Sequence, residues 1–397
     1  MWTDTNINFG KKSLRHCCKQ IAAGMSIEDI NELGANLFEQ HPLNVSNRKE
    51  MVEEAKLPAS CQWCIESEPN SIKDIWNTWS DEFITDNQSQ LIENSYVEYI
   101  ELDIGSSCDM ACVYCGPWSS TTWSKELGQA ASNTIDQAWR DAMLEQLVKY
   151  IATVPASRQL TFNILGGEPL LMVDTYHMIE YIGKHCGHFE KKPVIMLTTN
   201  LNCKEKLLEK LKTTIAATHD QFEWVISISI ENVGKRAEMV RYHLDWERFN
   251  HNVHEIKDLV DRIYLTNTFS LLSFGNFDEF IVWAFDTFGH DGYTTTWDFS
   301  LNTVQEGFTD IAYVDPSLVD PDRIKTVYMS EVTKCSDPAQ WRIDQLITHI
   351  DNLYTRLGTK KVDVRFYNFW NVMSKRRNVD YLSLHPIDKM INQELPQ

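Results

Sequence analysis

The sequence predicts an α/β protein, a partial (β/α)6 TIM-like barrel with a small cysteine-containing N-terminal accessory domain and a C-terminal extension. Three observations predict it. Strand-like and helix-like segments alternate about six times between residues 97 and 303, three cysteines follow the first of these strands, and four others precede it. We therefore expect the accessory domain at residues 1–80, the barrel at 95–305 and the extension at 306–397.

The six predicted strands are short runs rich in β-branched or aromatic residues, at 97–104, 160–165, 194–199, 224–230, 262–271 and 293–303. The helices between them carry apolar residues at helical spacing, at 135–154, 173–186, 204–217, 246–260 and 277–287. This order implies parallel strands joined by right-handed crossovers, with an active site at the carboxyl ends of the strands. Residues 1–75 show little periodicity outside a helix near 27–39. A helix near 344–357 and a strand near 361–367 are predicted in the extension.

The composition is that of an ordinary globular protein with a strong acidic excess. The chain has 397 residues, with 37 Lys and Arg against 56 Asp and Glu, so its net charge is −19. That charge disfavours nucleic acid and anionic membrane surfaces as partners. No run of 18 apolar residues exists, and the first residues lack the pattern of a secretion signal. We therefore expect no membrane partner and a cytoplasmic location, where cysteines stay reduced.

Cys108, Cys112 and Cys115 come directly after the first predicted strand, in a loop at the catalytic rim of a barrel. Three thiolates this close in sequence can hold one metal centre. No His lies between residues 42 and 176 to complete a local zinc site. A four-iron cube held by three cysteines keeps one iron open for a further ligand. The alternative is a zinc loop that borrows a distant ligand.

The C-x-x-x-C-x-x-C spacing, with Tyr114 before the last cysteine, resembles the signature of the radical S-adenosylmethionine (SAM) superfamily. The resemblance implies a 4Fe-4S cluster whose open iron binds the amino and carboxylate groups of SAM. A second motif of the family follows the second strand. It implies contact with the SAM amino group by Gly166, Gly167, Glu168 and Pro169.

Polar residues at the ends of later strands complete the cofactor site that the resemblance implies. They are Thr199, Asn200, Ser227, Ser229, Glu231, Arg236 and Arg241. Either serine is expected near the ribose or carboxylate of SAM, and either arginine would pair with that carboxylate. The alternatives are serines bonded to backbone, a turn role for Asn200 and solvated arginines.

Cys17, Cys18, Cys61 and Cys64 form a second group ahead of the barrel. Four cysteines suffice for one more four-iron cluster. The group resembles the accessory segment of twitch- or SPASM-type radical SAM proteins and implies an auxiliary 4Fe-4S cluster. In that subgroup, however, the accessory domain usually follows the barrel. A zinc knuckle that includes His16 is the alternative.

The resemblance implies an enzyme in which an electron donor such as flavodoxin or ferredoxin reduces the cluster. SAM is then cleaved to a 5′-deoxyadenosyl radical, which abstracts hydrogen from a substrate. We expect a peptide or protein side chain as substrate, as in the maturation of ribosomally made peptides. A small molecule such as a nucleotide or sugar precursor is the alternative. A non-catalytic zinc-binding scaffold is the alternative of another class. The sequence names no catalytic residue and no particular substrate.

Overall fold

The chain is represented by a computed structural model that describes residues 4–16, 22–54, 97–130, 135–304, 307–384 and 386–394. Eleven strands are numbered in chain order: β1 Asp4–Asn8, β2 Ser13–Arg15, β3 Ala23–Gly24, β4 Tyr99–Asp103, β5 Ala111–Cys112, β6 Thr161–Leu165, β7 Val194–Thr199, β8 Glu223–Ser229, β9 Arg241–Tyr242, β10 Arg262–Phe269 and β11 Trp297–Thr303.

The α-helices among the described residues are α1 Ile27–Leu33, α2 Pro42–Glu53, α3 Thr121–Glu126, α4 Gln137–Ile151, α5 Val173–Gly183, α6 Glu205–Thr218, α7 Gly234–Val240, α8 Trp246–Ile256, α9 Phe277–Phe288, α10 Pro321–Val332, α11 Gln340–Arg356, α12 Val364–Arg377 and α13 Ile387–Glu394. None of these helices is both long enough and apolar enough to cross a membrane. The chain divides into two compact units, which are described separately.

The first unit comprises residues 1–107, 132–197 and 216–224. Its strands lie in the order β7, β6, β4, β1, β2 and β3. The pairs from β7 to β1 are parallel, whereas β1, β2 and β3 pair antiparallel. Aromatic and aliphatic residues from α1 and α4 fill the space beside this sheet, and the Trp139 indole donates to the Met25 carbonyl at 2.8 Å.

Strand β1 was missed by the sequence analysis, which expected little regular structure there. Its sequence is polar, with Ile7 as its one large aliphatic residue. The polar side chains pair with β4 in register, because the Asn6 amide donates to Glu101 at 2.9 Å and the Asn8 amide donates to Asp103 at 2.5 Å. A ladder of hydrogen-bonded side chains therefore replaces the apolar alternation that marks a strand in a sequence.

The second unit comprises residues 108–131, 198–215 and 225–397. Strand β10 pairs parallel with both β8 and β11. Three buried carboxylates of this unit pair with cations of the C-terminal segment, and these pairs are Asp278 with Arg323, Asp298 with Arg342, and Asp310 with Arg356 and Lys360. Charge pairing as well as apolar packing therefore attaches the C-terminal segment to the rest of this unit.

The mixed α/β class with mostly parallel strands is confirmed, and all six predicted strands are present. The last of them starts at Trp297 rather than at residue 293, because backbone N–H groups of Thr296 and Trp297 turn back to the Gly292 carbonyl. The partial-barrel form and the domain boundaries at 80 and 305 stay predictions.

The predicted strand at 361–367 is wrong, because this segment starts helix α12. The Asp363 carboxylate accepts hydrogen bonds from the backbone N–H groups of Arg365 at 2.9 Å and Phe366 at 3.1 Å, and so caps the helix. Phe366, Trp370 and Met373 then lie buried on one helical face. Local capping and an apolar face at spacings of three and four residues override the alternating pattern that suggested a strand.

A substitution at Asp310 measures how much charge pairing contributes to the stability of the second unit. The Asp310→Asn variant removes the carboxylate that binds Arg356 at 3.2 Å and Lys360 at 2.6 Å, and Asp310 is 1% exposed. We expect its free energy of unfolding in urea to fall by about 1.5–3 kcal/mol. The matched control is Asp351→Asn, which removes an exposed pair with Lys325, and its loss should stay below about 1 kcal/mol. Equal losses in the two variants would contradict this account.

Candidate functional site

The three clustered cysteines sit on a loop that the second unit holds in place. Cys112 lies on β5, and all three cysteines are half-buried thiols rather than disulfides. Helix α3, which follows the loop, fixes its first residue, because the Thr121 and Thr122 hydroxyls donate to the Cys108 carbonyl at 3.0 and 2.7 Å. The sequence prediction that these cysteines share one short loop therefore agrees with the described backbone.

A ladder of two short strands holds the middle of this loop. Strands β5 and β9 pair antiparallel, so that Cys112 lies directly opposite Arg241. The Val113 N–H continues the ladder to the Val240 carbonyl at 2.9 Å. From the other side, the Trp123 indole donates to the Cys112 carbonyl at 2.9 Å. A backbone ladder on one side and the Trp123 side chain on the other therefore set the position of the middle cysteine.

Behind the loop lies a buried charge network of Glu231, Arg241 and Tyr114. The Arg241 Nη2 and Nε atoms lie 2.6 and 3.1 Å from Glu231 Oε2. The Tyr114 hydroxyl donates to the same carboxylate at 3.1 Å. The Glu231 side chain is 0% exposed and that of Arg241 is 6% exposed. Two buried charges of opposite sign thus neutralise each other, and the tyrosine satisfies the remaining carboxylate oxygen.

Burial also acts on the thiols. Removal from water raises the pKa of Cys112 to about 12, an effect that the charge of Arg241 opposes. Burial raises the pKa of Cys115 as well. Both groups are therefore protonated thiols at neutral pH in the absence of metal. Binding of a metal centre would release their protons, which makes its affinity depend on pH.

The groups present, three thiols with N–H donors near two of the sulfurs, are of the kind that bind an iron–sulfur cluster. The Met110 backbone N–H lies 3.5 Å from Cys108 Sγ, and Arg241 Nη1 lies 3.9 Å from Cys112 Sγ. Hydrogen bonds to ligand sulfurs are one of the means by which proteins set the potential of such clusters. Within the described ranges, which include these three cysteines, no group of three or more His, Cys, Asp or Glu side chains is placed to hold a single metal ion, so the shared cluster stays a prediction.

Arg377 completes the support of the loop, and the sequence analysis did not single it out. Its side chain is 1% exposed and bonds Glu126 at 3.0 Å. The guanidinium carbon lies 4.5 Å from the ring centre of Trp123 and 4.6 Å from that of Tyr242. The helix that carries Arg377 therefore contacts Trp123, which bonds the Cys112 carbonyl, and Tyr242, which lies opposite Ala111. In the sequence, the only signal was a run of three basic residues at a helix end.

The glycine motif lies in the first unit, where it packs against the backbone of residues 105–107. The Gly167 N–H donates to the Gly105 carbonyl and the Glu168 N–H to the Ser107 carbonyl, both at 2.6 Å. A Cβ added to Gly166, whose φ is +142°, would lie 2.6 Å from Gly105 O, and one added to Gly167 would lie 2.4 Å from Ser107 O. Close backbone approach therefore explains both glycines.

Glu168 and Pro169 then start a short 3-10 turn. The Glu168 carboxylate accepts from the Leu170 N–H at 3.1 Å and is almost fully buried, and Pro169 occupies the first turn. The capping role follows from the structure. The predicted contact of this motif with the amino group of SAM stays a prediction.

Thr199 and Asn200 have protein partners. The Thr199 hydroxyl accepts from the Leu201 N–H at 2.9 Å. Asn200 does form a turn, since its side-chain oxygen accepts from the Asn202 N–H at 2.8 Å, and its amide donates to Asp109 within the cysteine loop at 3.2 Å. This link to Asp109 had no signal in the sequence.

Ser227 bonds the Thr266 hydroxyl on the neighbouring strand at 2.6 Å, whereas Ser229 is half-buried. Arg236 is half-buried too, and its Nη1 lies 3.5 Å from the Leu272 carbonyl. Of the predicted cofactor residues, the second unit thus brings Tyr114, Glu231 and Arg241 together beside Cys112. The roles of these residues toward SAM stay predictions.

The accessory cysteines Cys17, Cys18, Cys61 and Cys64 lie outside the described residues. His16, the alternative zinc ligand beside them, is buried, and its Nδ1 lies 3.0 Å from the Thr5 hydroxyl. The auxiliary cluster therefore stays a prediction.

No protein-family model and no curated protein matches this chain. Among the solved structures to which it is similar is hexahistidine-tagged anSMEcpe with bound AdoMet, at 14% identity and a TM-score of 0.39, with 57% of each chain covered. A structure of Streptococcus suis SuiB bound to the precursor peptide SuiA is similar at 13% identity and a TM-score of 0.42, covering 81% of this chain and 66% of that chain.

A structure of the same SuiB bound to S-adenosylmethionine is similar at 14% identity and a TM-score of 0.37, covering 83% of this chain and 67% of that chain. The chain thus spans 57% of the length of the anSMEcpe structure. All three of these TM-scores lie below 0.5.

Replacement of Gly167 tests the close packing of the glycine motif. The Gly167→Ala variant forces a Cβ against the backbone of Ser107, which directly precedes Cys108. We expect a loss of about 1–3 kcal/mol of stability and faster amide exchange in residues 104–108. Gly187→Ala is the control, since a Cβ there meets nothing within 4 Å, and its effect should stay within about 0.5 kcal/mol. Unchanged exchange in Gly167→Ala would refute the packing argument.

Proposed function

We propose that this protein is a radical SAM enzyme. The observation that carries the proposal is the loop of Cys108, Cys112 and Cys115, spelled as in that superfamily and fixed by hydrogen bonds on both sides. The glycine motif follows the second of the six predicted strands and also supports the proposal, because close approach of another backbone segment requires glycine at Gly166 and Gly167. A structural zinc site needs four ligands, whereas the loop offers three cysteines. The glycine motif would have no role in a structural zinc site.

When bound, a 4Fe-4S cluster on the three cysteines would supply the single electron for reductive cleavage of SAM. A reduced flavodoxin or ferredoxin is the proposed source of that electron, with methionine and 5′-deoxyadenosine as the products to detect. The protein's own part is to ligate the cluster through the three cysteines, to hold the loop in one geometry and to surround the sulfurs with low-dielectric packing. The second-unit network of Glu231, Arg241 and Tyr114 keeps that packing free of uncompensated charge.

We further propose a peptide or protein side chain as the substrate. This rests on the accessory cysteines, whose grouping resembles the twitch- and SPASM-type subgroup in which many members modify ribosomally made peptides. These residues are Cys17, Cys18, Cys61 and Cys64, and we propose that they bind an auxiliary 4Fe-4S cluster. A small molecule remains the second candidate for the substrate.

Iron content and SAM cleavage test the enzyme class. Anaerobically reconstituted protein should hold about four irons for one cluster or about eight for two. The triple variant Cys108→Ala, Cys112→Ala, Cys115→Ala should lose about four irons and all formation of 5′-deoxyadenosine with dithionite as reductant. The triple variant should retain any accessory cluster. A variant that lacks the four accessory cysteines should lose only the irons of that accessory cluster.

Cys335→Ala is the control, because this half-buried thiol lies just after helix α10 and contacts the Glu331 carbonyl. The variant should leave iron content and 5′-deoxyadenosine formation unchanged. Colourless protein loaded with zinc would overturn the class. So would 5′-deoxyadenosine formation by the triple variant.

The substrate class is tested by expressing the protein with short peptides encoded in neighbouring reading frames. We expect one of them to change mass only when the three loop cysteines are intact, measured by mass spectrometry of the recovered peptide. Loss of two hydrogens would indicate a cross-link, and a mass gain seen only in deuterated solvent would indicate epimerisation. If no such peptide changes while 5′-deoxyadenosine still forms, the peptide assignment is wrong and the enzyme class stands.

A further inference from the structure

The two-residue ladder of β5 and β9 places an arginine opposite a cysteine of the proposed cluster. Cys112 and Arg241 are directly paired. Side chains of directly opposed residues in an antiparallel pair lie on the same face, with Cβ atoms about 4.5–5.5 Å apart. The arginine therefore faces the cysteine because of backbone register rather than through a rotamer of a mobile chain.

Glu231 determines which edge of the guanidinium reaches the sulfur. Nε and Nη2 of Arg241 both bond Glu231 Oε2, at 3.1 and 2.6 Å, which directs Nη1 toward Cys112 Sγ at 3.9 Å. The Tyr114 ring closes another side, with its centre 5.7 Å from the guanidinium carbon. Arg241 is thus engaged by protein groups on three sides, which fixes its orientation toward the sulfur.

The charge of this arginine acts in a region with little water. Both members of the ion pair are almost fully buried, so their fields are weakly screened. One-electron reduction adds a negative charge to a cluster, and a hydrogen-bond donor near a ligand sulfur stabilises that form. The negative charge of Glu231, on the far side of the guanidinium, disfavours the reduced form of the cluster.

On the basis of the proposed function, we propose that Arg241 is a positioning residue that raises the reduction potential of the cluster through Cys112, and that Glu231 orients it. Both residues then affect how readily the flavodoxin or ferredoxin can reduce the cluster. This role requires no contact between Arg241 and SAM.

The test is an anaerobic redox titration of the reconstituted full-length protein, followed by electron paramagnetic resonance. To isolate one signal, it is done in the variant that lacks Cys17, Cys18, Cys61 and Cys64. In Arg241→Gln, we expect the ratio of reduced to oxidised cluster at a fixed potential to fall about tenfold, the effect of one lost charged hydrogen bond. In Glu231→Gln, the ratio should rise, because a negative charge is removed. If Arg241 and Glu231 had only a structural role, the two variants would not shift the ratio of reduced to oxidised cluster in opposite directions.

Arg342→Gln is the matched control, since Arg342 bonds the buried Asp298 at 2.8 Å in the same unit, and its ratio should equal that of the parent. Iron is measured in every variant. If Arg241→Gln does not retain about four irons, Arg241→Lys takes its place, and we expect a smaller fall because the charge stays while the fork is lost.

Equal ratios in parent, Arg241 and Glu231 variants, or shifts of the same sign, would overturn this inference alone. A parent protein that binds no iron would instead overturn the proposed function.

Discussion

A carboxylate and a guanidinium, both removed from water, hold the cysteine-bearing loop of this protein in place. Neither Glu231 nor Arg241 could be buried alone, because an uncompensated charge in the interior costs several kcal/mol. Their pairing therefore links the end of β8 to β9, and β9 in turn pairs with the strand that carries Cys112. The Tyr114 hydroxyl, inside the cysteine motif itself, bonds the same carboxylate. Tyr114 is thus a residue of the cysteine motif that also stabilises the buried ion pair behind the loop.

The C-terminal segment takes part in the same arrangement. Arg377 reaches Glu126 across 251 residues of sequence and lies against the rings of Trp123 and Tyr242. Planar guanidinium groups stack on aromatic faces and bond carboxylates at their edges, so one side chain satisfies both kinds of neighbour. Helix α12 therefore supports the loop through Arg377 in addition to burying apolar residues.

The six strands of the repeating unit were predictable because each is an apolar or β-branched run bounded by turn residues. Strand β1 was not, since its stability comes from Asn6 and Asn8 bonding carboxylates of β4, and no single-sequence pattern records a partner 95 residues away. The segment at 361–367 alternates apolar and polar residues, as a strand would. Its helical form depends on Asp363 bonding the backbone N–H groups ahead of it, a local choice that alternation does not reveal.

By itself, the sequence determined the spacing of Cys108, Cys112 and Cys115 and the identity of the glycine motif, because both are properties of neighbouring residues along the chain. The resemblance also offered Arg236 and Arg241 as partners of the SAM carboxylate without a means of choosing. Only the tertiary structure decided that Arg241 lies opposite Cys112 and beside Glu231 while Arg236 lies near a backbone carbonyl, and the pairing of either with SAM stays a prediction. The physical reason is that electrostatic and hydrogen-bond energies depend on separation and burial in space, which sequence distance does not encode.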